Sequence, residues 1–365
     1  MAYEWGLTDG FMNVLFMLGN GFDLALGLAT RYGDFFDWCW RRENGTVDLS
    51  SVREEIYTPA GNEFMLLVKS ERKKLRDWND FEKVLELVPY DRMSSIKGAS
   101  PGIYAANVVQ FLQSALRVYL SRENARILVS RNLQEKVSAM FKCALYKSIY
   151  RYIKSAEISE VNFLTFNYTN SLEQILCLCE TKCGWHIHGS VEQNDMIVGI
   201  DDAKHRQFSE KMGEYYRMLV KSEQIKNGLG SVELERSAKK TIARSDLIVC
   251  YGLSFGDSDH RWWKRIRDLL LNNTRSRVLI IPYSPHVDAI LANNRMRCMV
   301  RGWQNRMLRG MCRAQNFDKS ELENEMTALE KLRDRILVAD FGDCPSGDFW
   351  RLKFIGKMIV RPSRP

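Results

Sequence analysis

Val14-Leu15-Phe16-Met17-Leu18-Gly19-Asn20-Gly21-Phe22-Asp23 is an apolar run that ends in two glycines flanking an asparagine. Five consecutive apolar residues suit a strand covered on both faces. Gly19 and Gly21 permit a sharp turn and let backbone N–H groups approach an anion at the start of the following helix. A strand feeding a helix through such a turn opens many Rossmann-like folds, and standing alone it is also an ordinary tight turn. Later strands decide between the two readings if they end in similar corners.

Three later segments do so. Val161-Asn162-Phe163-Leu164-Thr165-Phe166 runs into the polar corner Asn167-Tyr168-Thr169-Asn170-Ser171. Asp246-Leu247-Ile248-Val249-Cys250-Tyr251 stops at Gly252-Leu253-Ser254-Phe255-Gly256-Asp257-Ser258-Asp259, ahead of a helix over 260–271. Val278-Leu279-Ile280-Ile281 is the last strong strand. Between them, Trp185-His186-Ile187-His188-Gly189-Ser190 alternates, which sets His186 and His188 on one face if it is a strand. Residues 196–200 read as a further strand after the turn Gln193-Asn194-Asp195. Buried strands each followed by a corner and a helix predict a doubly wound, Rossmann-like parallel α/β sheet. Ligands of such sheets sit outside the carboxyl ends of the strands.

The remaining chain is organised around that core. Residues 22–42 read as two helices with a break near Ala29-Thr30, where the Thr30 hydroxyl is placed to cap the second. Residues 43–51 are polar, contain Asn44-Gly45 and read as a loop. Residues 62–155 carry helical periodicity almost throughout, as an insertion on an α/β core does. Within it, Trp78-Asn79-Asp80-Phe81-Glu82 is either a capped helix start or a polar pair reaching into the site. The expected division is a nucleotide-binding core of residues 1–45 and 156–300, a helical insertion over 46–155, and a C-terminal helical extension over 301–365 that carries a basic patch. Its main helix is expected over 319–338.

The 365 residues are 45% hydrophobic and 27% charged, ordinary for a globular protein, and no apolar run reaches the roughly 18 residues that span a bilayer. The first ten residues lack the pattern of a secretion signal, so a cytoplasmic location without membrane contact is expected. Nine cysteines, an odd number, point to reduced thiols rather than a disulfide framework. Cys177, Cys179, Cys183 and His186 lack the paired spacing of structural zinc modules, and no metal is expected. The net charge is +8, and the six arginines Arg295, Arg297, Arg301, Arg306, Arg309 and Arg313, with Trp303 among them, form the basic patch. It is either a phosphate-neutralising surface for nucleic acid or a solvated helix face.

The fingerprint of a redox Rossmann domain is incomplete. Gly19-x-Gly21 has no third glycine, and Trp40-Arg41 stand about 20 residues on, where an acid should bind ribose. The segments Gly19-Asn20-Gly21-Phe22-Asp23-Leu24-Ala25, Phe166-Asn167-Tyr168-Thr169, Ile187-His188-Gly189-Ser190 and Tyr251-Gly252-Leu253-Ser254 with Asp257-Ser258-Asp259-His260 instead resemble the AbiH family of bacteriophage abortive-infection proteins. Ala29 stands where that family usually has proline. More distantly, the same order is similar to the SIR2-like (SIR2/DHS-like), NAD-consuming fold, without the zinc ribbon of protein deacylases. That resemblance implies an antiphage effector that binds an NAD-like dinucleotide and hydrolyses NAD as substrate. It implies Asn167 and His188 as catalytic residues, with Asn167 positioning the nicotinamide ribose or a water and His188 acting as general base. Gly19, Asn20, Gly21, Phe22, Asp23, Thr165, Gly252, Ser254 and Asp257 would line the dinucleotide. Asp23 is open between a ribose hydroxyl and a helix cap. A homo-oligomer is one open assembly, and a nucleic-acid-directed toxin or a non-catalytic nucleotide sensor is the competing expectation.

Overall fold

The computed structural model of the protein describes residues 11–43, 46–71, 85, 101–129, 157–177, 185–200, 219–226, 232–256, 259–283, 296–312 and 319–338. Strand β1 (Phe11–Leu18) is followed by an antiparallel pair, β2 (Trp40–Glu43) and β3 (Thr46–Val52). Then come β4 (Glu157–Thr165), β5 (Trp185–His186), β6 (Leu247–Tyr251), β7 (Arg277–Ile281) and β8 (Ile336–Val338). Apart from the β2–β3 pair, the strands form one parallel sheet in the order β5-β4-β1-β6-β7-β8. Numbered along the chain without β2 and β3, this is the Rossmann order 3-2-1-4-5-6. Its topological switch point lies between β1 and β6.

The continuous apolar runs follow from burial on both faces. Met12, Val14, Phe16 and Leu18 of β1 pack on one side with Phe22, Leu26, Val249 and Leu279. Leu15 and Met17 pack on the other with Ile248, Cys250, Ile280, Trp262, Trp263 and Ile266. The sheet is wrapped by α1 (Asn20–Ala25), α5 (Ser171–Cys177), α7 (Val232–Ala243), α8 (His260–Asn272), α9 (Met296–Met311) and α10 (Lys319–Leu329). A further core joins α2 (Tyr32–Cys39), α3 (Pro59–Glu71) and α4 (Pro101–Val129) to Val191, Met196, Val198 and Ile200, and to Leu219 and Val220 just ahead of a short helix. That helix, α6, spans Lys221–Lys226. None of the helices among the described residues is long and apolar enough to cross a membrane.

Four local expectations change. Glu43 and residues 46–51 are strand rather than loop: Arg41 pairs with Asp48 and Arg42 with Val47 in an antiparallel pair whose polar sequence hid its strands. Residues 196–200 form no named strand: among the described residues they make an isolated bridge, Ile200 to Val220, just ahead of α6. The helix expected over 319–338 stops at Leu329. A 3-10 turn over Glu330–Arg335 then delivers β8 to the edge of the sheet, where Val278 pairs with Ile336. Finally, Arg31 rather than Thr30 precedes the first turn of α2, with its N–H bound by Asp34 at 3.2 Å. The Thr30 hydroxyl donates instead to Asn20 Oδ1 at 2.6 Å. Trp78 to Glu82 lies outside the described residues.

Candidate functional site at the strand corners

At the switch point the β1 and β6 corners close on each other. Gly19 N–H donates to Tyr251 O at 2.9 Å and Gly21 N–H to Gly252 O at 3.0 Å. A Cβ on Gly21 would fall 2.5 Å from Gly252 Cα, and one on Gly19 would fall 2.6 Å from Leu253 Cδ2. Gly252 itself has φ +65°, where a side chain is strained. The glycines are thus required for corner-to-corner packing. The two N–H groups that looked available to an anion are taken by carbonyls. Phe22 turns into the sheet core and meets Tyr251 edge-on, with ring centroids 5.9 Å apart.

The β4 corner completes the junction. Asn167 is buried, donates from Nδ2 to Gly19 O at 3.1 Å, and receives a hydrogen bond on its own carbonyl from His186 Nδ1 at 2.8 Å. Its N–H is bound by Thr165 Oγ1 at 3.1 Å. Below it lies Asp23, 1% exposed, whose two carboxylate oxygens accept from Thr169 Oγ1 and Ser171 Oγ at 2.6 Å each. Burial pushes the Asp23 carboxyl up to about 6 against the opposing pull of the Ser171, Thr169 and Asn167 hydrogen bonds. Asp23 lies inside α1, so it does not cap that helix.

Asn20, Asp23, Asn167 and Thr169 face a cavity of about 60 Å³, closed from above by Leu116, Tyr119 and Leu120 of α4. That holds a few waters, against the roughly 300–1,000 Å³ of a typical ligand pocket. Two contacts pin α4 there. Tyr119 Oη donates to Ala29 O, and Glu123 Oε2 accepts from Ala29 N–H at 2.8 Å.

The two histidines do not share a face, since β5 ends at His186 and His188 sits in the turn after it. Their surroundings also shift them in opposite directions. Burial opposes charge on His186, but the Glu173 carboxylate, 2.8 Å from Nε2, and the Asn167 carbonyl outweigh it, and the imidazole is raised above its ordinary value. Both of its nitrogens donate. His188 is pushed down to about 4, first by burial and then by the positive charge of Lys221. Its Nε2 lies 2.8 Å from Asp259 Oδ1, and Lys221 Nζ lies 3.5 Å from the same oxygen. Despite its own burial, Asp259 is held well below the usual carboxylate range by Lys221, His188 and Arg261. A carboxylate only accepts, which assigns the His188 proton to Nε2 and leaves the lone pair on Nδ1. Nδ1 is buried and has no hydrogen-bond partner among the described residues. His188 does not line the cavity; the Phe166 and Tyr168 rings, which do, pack against its imidazole.

Gly19, Asn20, Gly21, Asp23, Thr165, Asn167 and Gly252 therefore meet at one junction. Ser254 is exposed beyond it, and Asp257 lies outside the described residues. Sequence reasoning missed Asp259, Lys221 and the Thr169 and Ser171 hydroxyls. Asp259 stands in a corner already singled out, and Thr169 and Ser171 alternate in the β4 corner, but nothing marks Lys221 among the polar residues around it. In the basic patch, Arg301, Arg306 and Arg309 are exposed on α9, whose other face buries Met307, Leu308 and Met311 against the sheet helices. Arg306 stacks on Trp303 at 4.6 Å. Arg295 and Arg313 lie outside the described residues. Among the described residues no cluster of three or more His, Cys, Asp or Glu is arranged to hold a metal ion.

No curated protein matches the chain. Residues 15–280 match a family model described as bacteriophage abortive infection AbiH, and this span takes in β4, β5 and β6, all but the first four residues of β1, all but the last residue of β7, and every junction residue named above. With well over half of its length matched, the chain belongs to the AbiH family of bacteriophage abortive-infection proteins.

Proposed function

We propose that this abortive-infection protein is an effector that binds an NAD-like dinucleotide over the β1, β4 and β6 corners and hydrolyses its nicotinamide N-glycosidic bond. Two observations carry the reading: Asn167 is buried and fixed by Gly19, and His188, in the corner after β5, is neutral with an Nδ1 lone pair that lacks a partner among the described residues. Asn167 positions the ribose or the attacking water. His188 Nδ1 takes the proton of that water as its oxygen bonds to C1′. The C1′–N bond breaks with its electron pair going to the ring nitrogen, so nicotinamide leaves neutral and needs no acid. What the site must supply is positioning and stabilisation of oxocarbenium-like charge. The proton then passes from His188 to solvent. Asp259 orients the imidazole, and Lys221 keeps Asp259 ionised.

In this reading the 60 Å³ cavity is a closed form of the site: the dinucleotide enters when α4 lifts from Ala29, and the Phe166 and Tyr168 rings, which pack against His188, must turn aside to open its Nδ1 to the attacking water. A site that is shut at rest suits an effector harmful to its own cell. The test is nicotinamide release from NAD+ by the purified protein, by Asn167→Ala and by His188→Ala. Both variants are expected to be slowed about 100-fold or more, the scale of losing a positioned base. Turnover unchanged in both removes these residues from the mechanism.

A further inference from the structure

The cavity beneath α4 uses one side of that helix, and a second hollow lies on another side. Gln113, Ser114, Arg117, Val118, Ser121 and Arg122 recur with helical spacing as one stripe. With Asn194 and Met196 they line a groove of about 740 Å³. That volume sits inside the range of small-molecule sites, roughly 300–1,000 Å³. The groove has the chemistry of an anion site. Among the described residues no carboxylate lines it. Arg122 is held in place, its guanidinium stacked on Trp38 at 5.2 Å and tied to Glu55 at 2.8 Å. Arg117 is exposed and makes no ion pair among the described residues, so its charge faces the groove uncompensated. Two guanidiniums with hydroxyls and amides beside them match phosphate oxygens, while Val118 and the buried Met196 offer an apolar wall.

We propose that this groove binds a small phosphorylated anion of nucleotide size, with its phosphates at Arg117 and Arg122 and its apolar body against Val118 and Met196. The placement gives such a ligand a lever on the core. Gln113 Nε2 donates to Met196 O at 2.9 Å. The next residue, Ile197, donates from its N–H to His188 O at 2.8 Å and accepts from Tyr168 Oη at 2.8 Å. An occupant that clamps α4 to residues 194–196 restrains the loop carrying His188. The binding claim is independent of what the core cavity holds.

Isothermal titration of the full-length protein with ADP, and separately with inorganic tripolyphosphate, tests it. Wild type is expected to bind both, ADP more tightly because of the apolar wall. Arg117→Gln, an exposed change, is expected to weaken both by about tenfold, the loss of one charge-assisted contact. Ser121→Asp, which places a negative charge in the groove, is expected to abolish tripolyphosphate binding. Asn167→Ala is expected to leave the tripolyphosphate affinity unchanged, whatever share of the ADP binds at the core. Absence of binding to wild type overturns the proposal, as does affinity indifferent to Arg117→Gln and Ser121→Asp. Tripolyphosphate binding lost in Asn167→Ala but kept in Arg117→Gln also overturns it, by placing the anion in the core cavity.

Discussion

Asp23 and His188 are both buried titratable groups, and burial drives them in opposite directions. Folding raises the Asp23 carboxyl from 3.8 to about 6, so the native chain holds this proton more tightly than the unfolded chain does. Its contribution to stability is present below about pH 4 and is lost as pH rises through about 6, a change of about 3 kcal/mol. His188 falls from 6.5 to about 4, so its contribution is present above about pH 6.5 and is lost as pH falls through about 4. The two partly cancel in wild type, and a single substitution separates them. Asp23→Asn removes the first while keeping an acceptor for one hydroxyl and a donor for the other. The melting temperature of Asp23→Asn minus that of wild type is expected to rise steadily between pH 4 and pH 7. A difference that stays flat across this window means that Asp23 is ionised throughout, with the Thr169 and Ser171 hydroxyls overcoming burial.

Among the elements, α4 has two assignments. One side completes the core formed with α2 and α3, through Tyr104, Val108, Leu112 and Leu116. Tyr119 and Glu123, one turn apart, reach across to the carbonyl and N–H of Ala29. Replacing Glu123 with Gln and Tyr119 with Phe weakens that latch by about 1 kcal/mol per hydrogen bond. Amide exchange at Ala29 is expected to quicken by about tenfold or more in the double variant, with the sheet strands unaffected. Exchange unchanged at Ala29 means that α4 is held by packing alone. Legibility in the sequence follows the same element scale. β1, β4, β6 and β7 were readable because both faces of each are buried, which forces continuous apolar runs. β8 was not, because its three residues follow the charged run Glu330–Arg335 and resemble a helix end. The β2–β3 pair was not, because Arg41, Arg42 and Asp48 lie in its paired register.

At the scale of the whole molecule, the chain builds its second core from distant pieces. Phe35, Phe36 and Trp40 precede the insertion, and Val191, Met196, Val198, Ile200, Leu219 and Val220 come long after it, yet all pack with α3 and α4. The loop that carries His188 is therefore continuous with the packing of the helix that closes the cavity. At the site, the residues that the corners bring together were visible as motifs, since glycines, an asparagine and a histidine at strand ends are distinctive. The Lys221–Asp259–His188 chain was not, because it joins three separate parts of the sequence and only the fold makes them neighbours. The family places the protein in phage abortive infection, and the proposed chemistry needs a dinucleotide seated beneath α4. A crystal structure of the protein with a hydrolysis-resistant carba-NAD tests that most directly. The account predicts the dinucleotide at the β1, β4 and β6 corners, its nicotinamide ribose beside Asn167 and α4 displaced from Ala29. A soaked or co-crystallised protein with α4 still latched and no dinucleotide at this junction would contradict it.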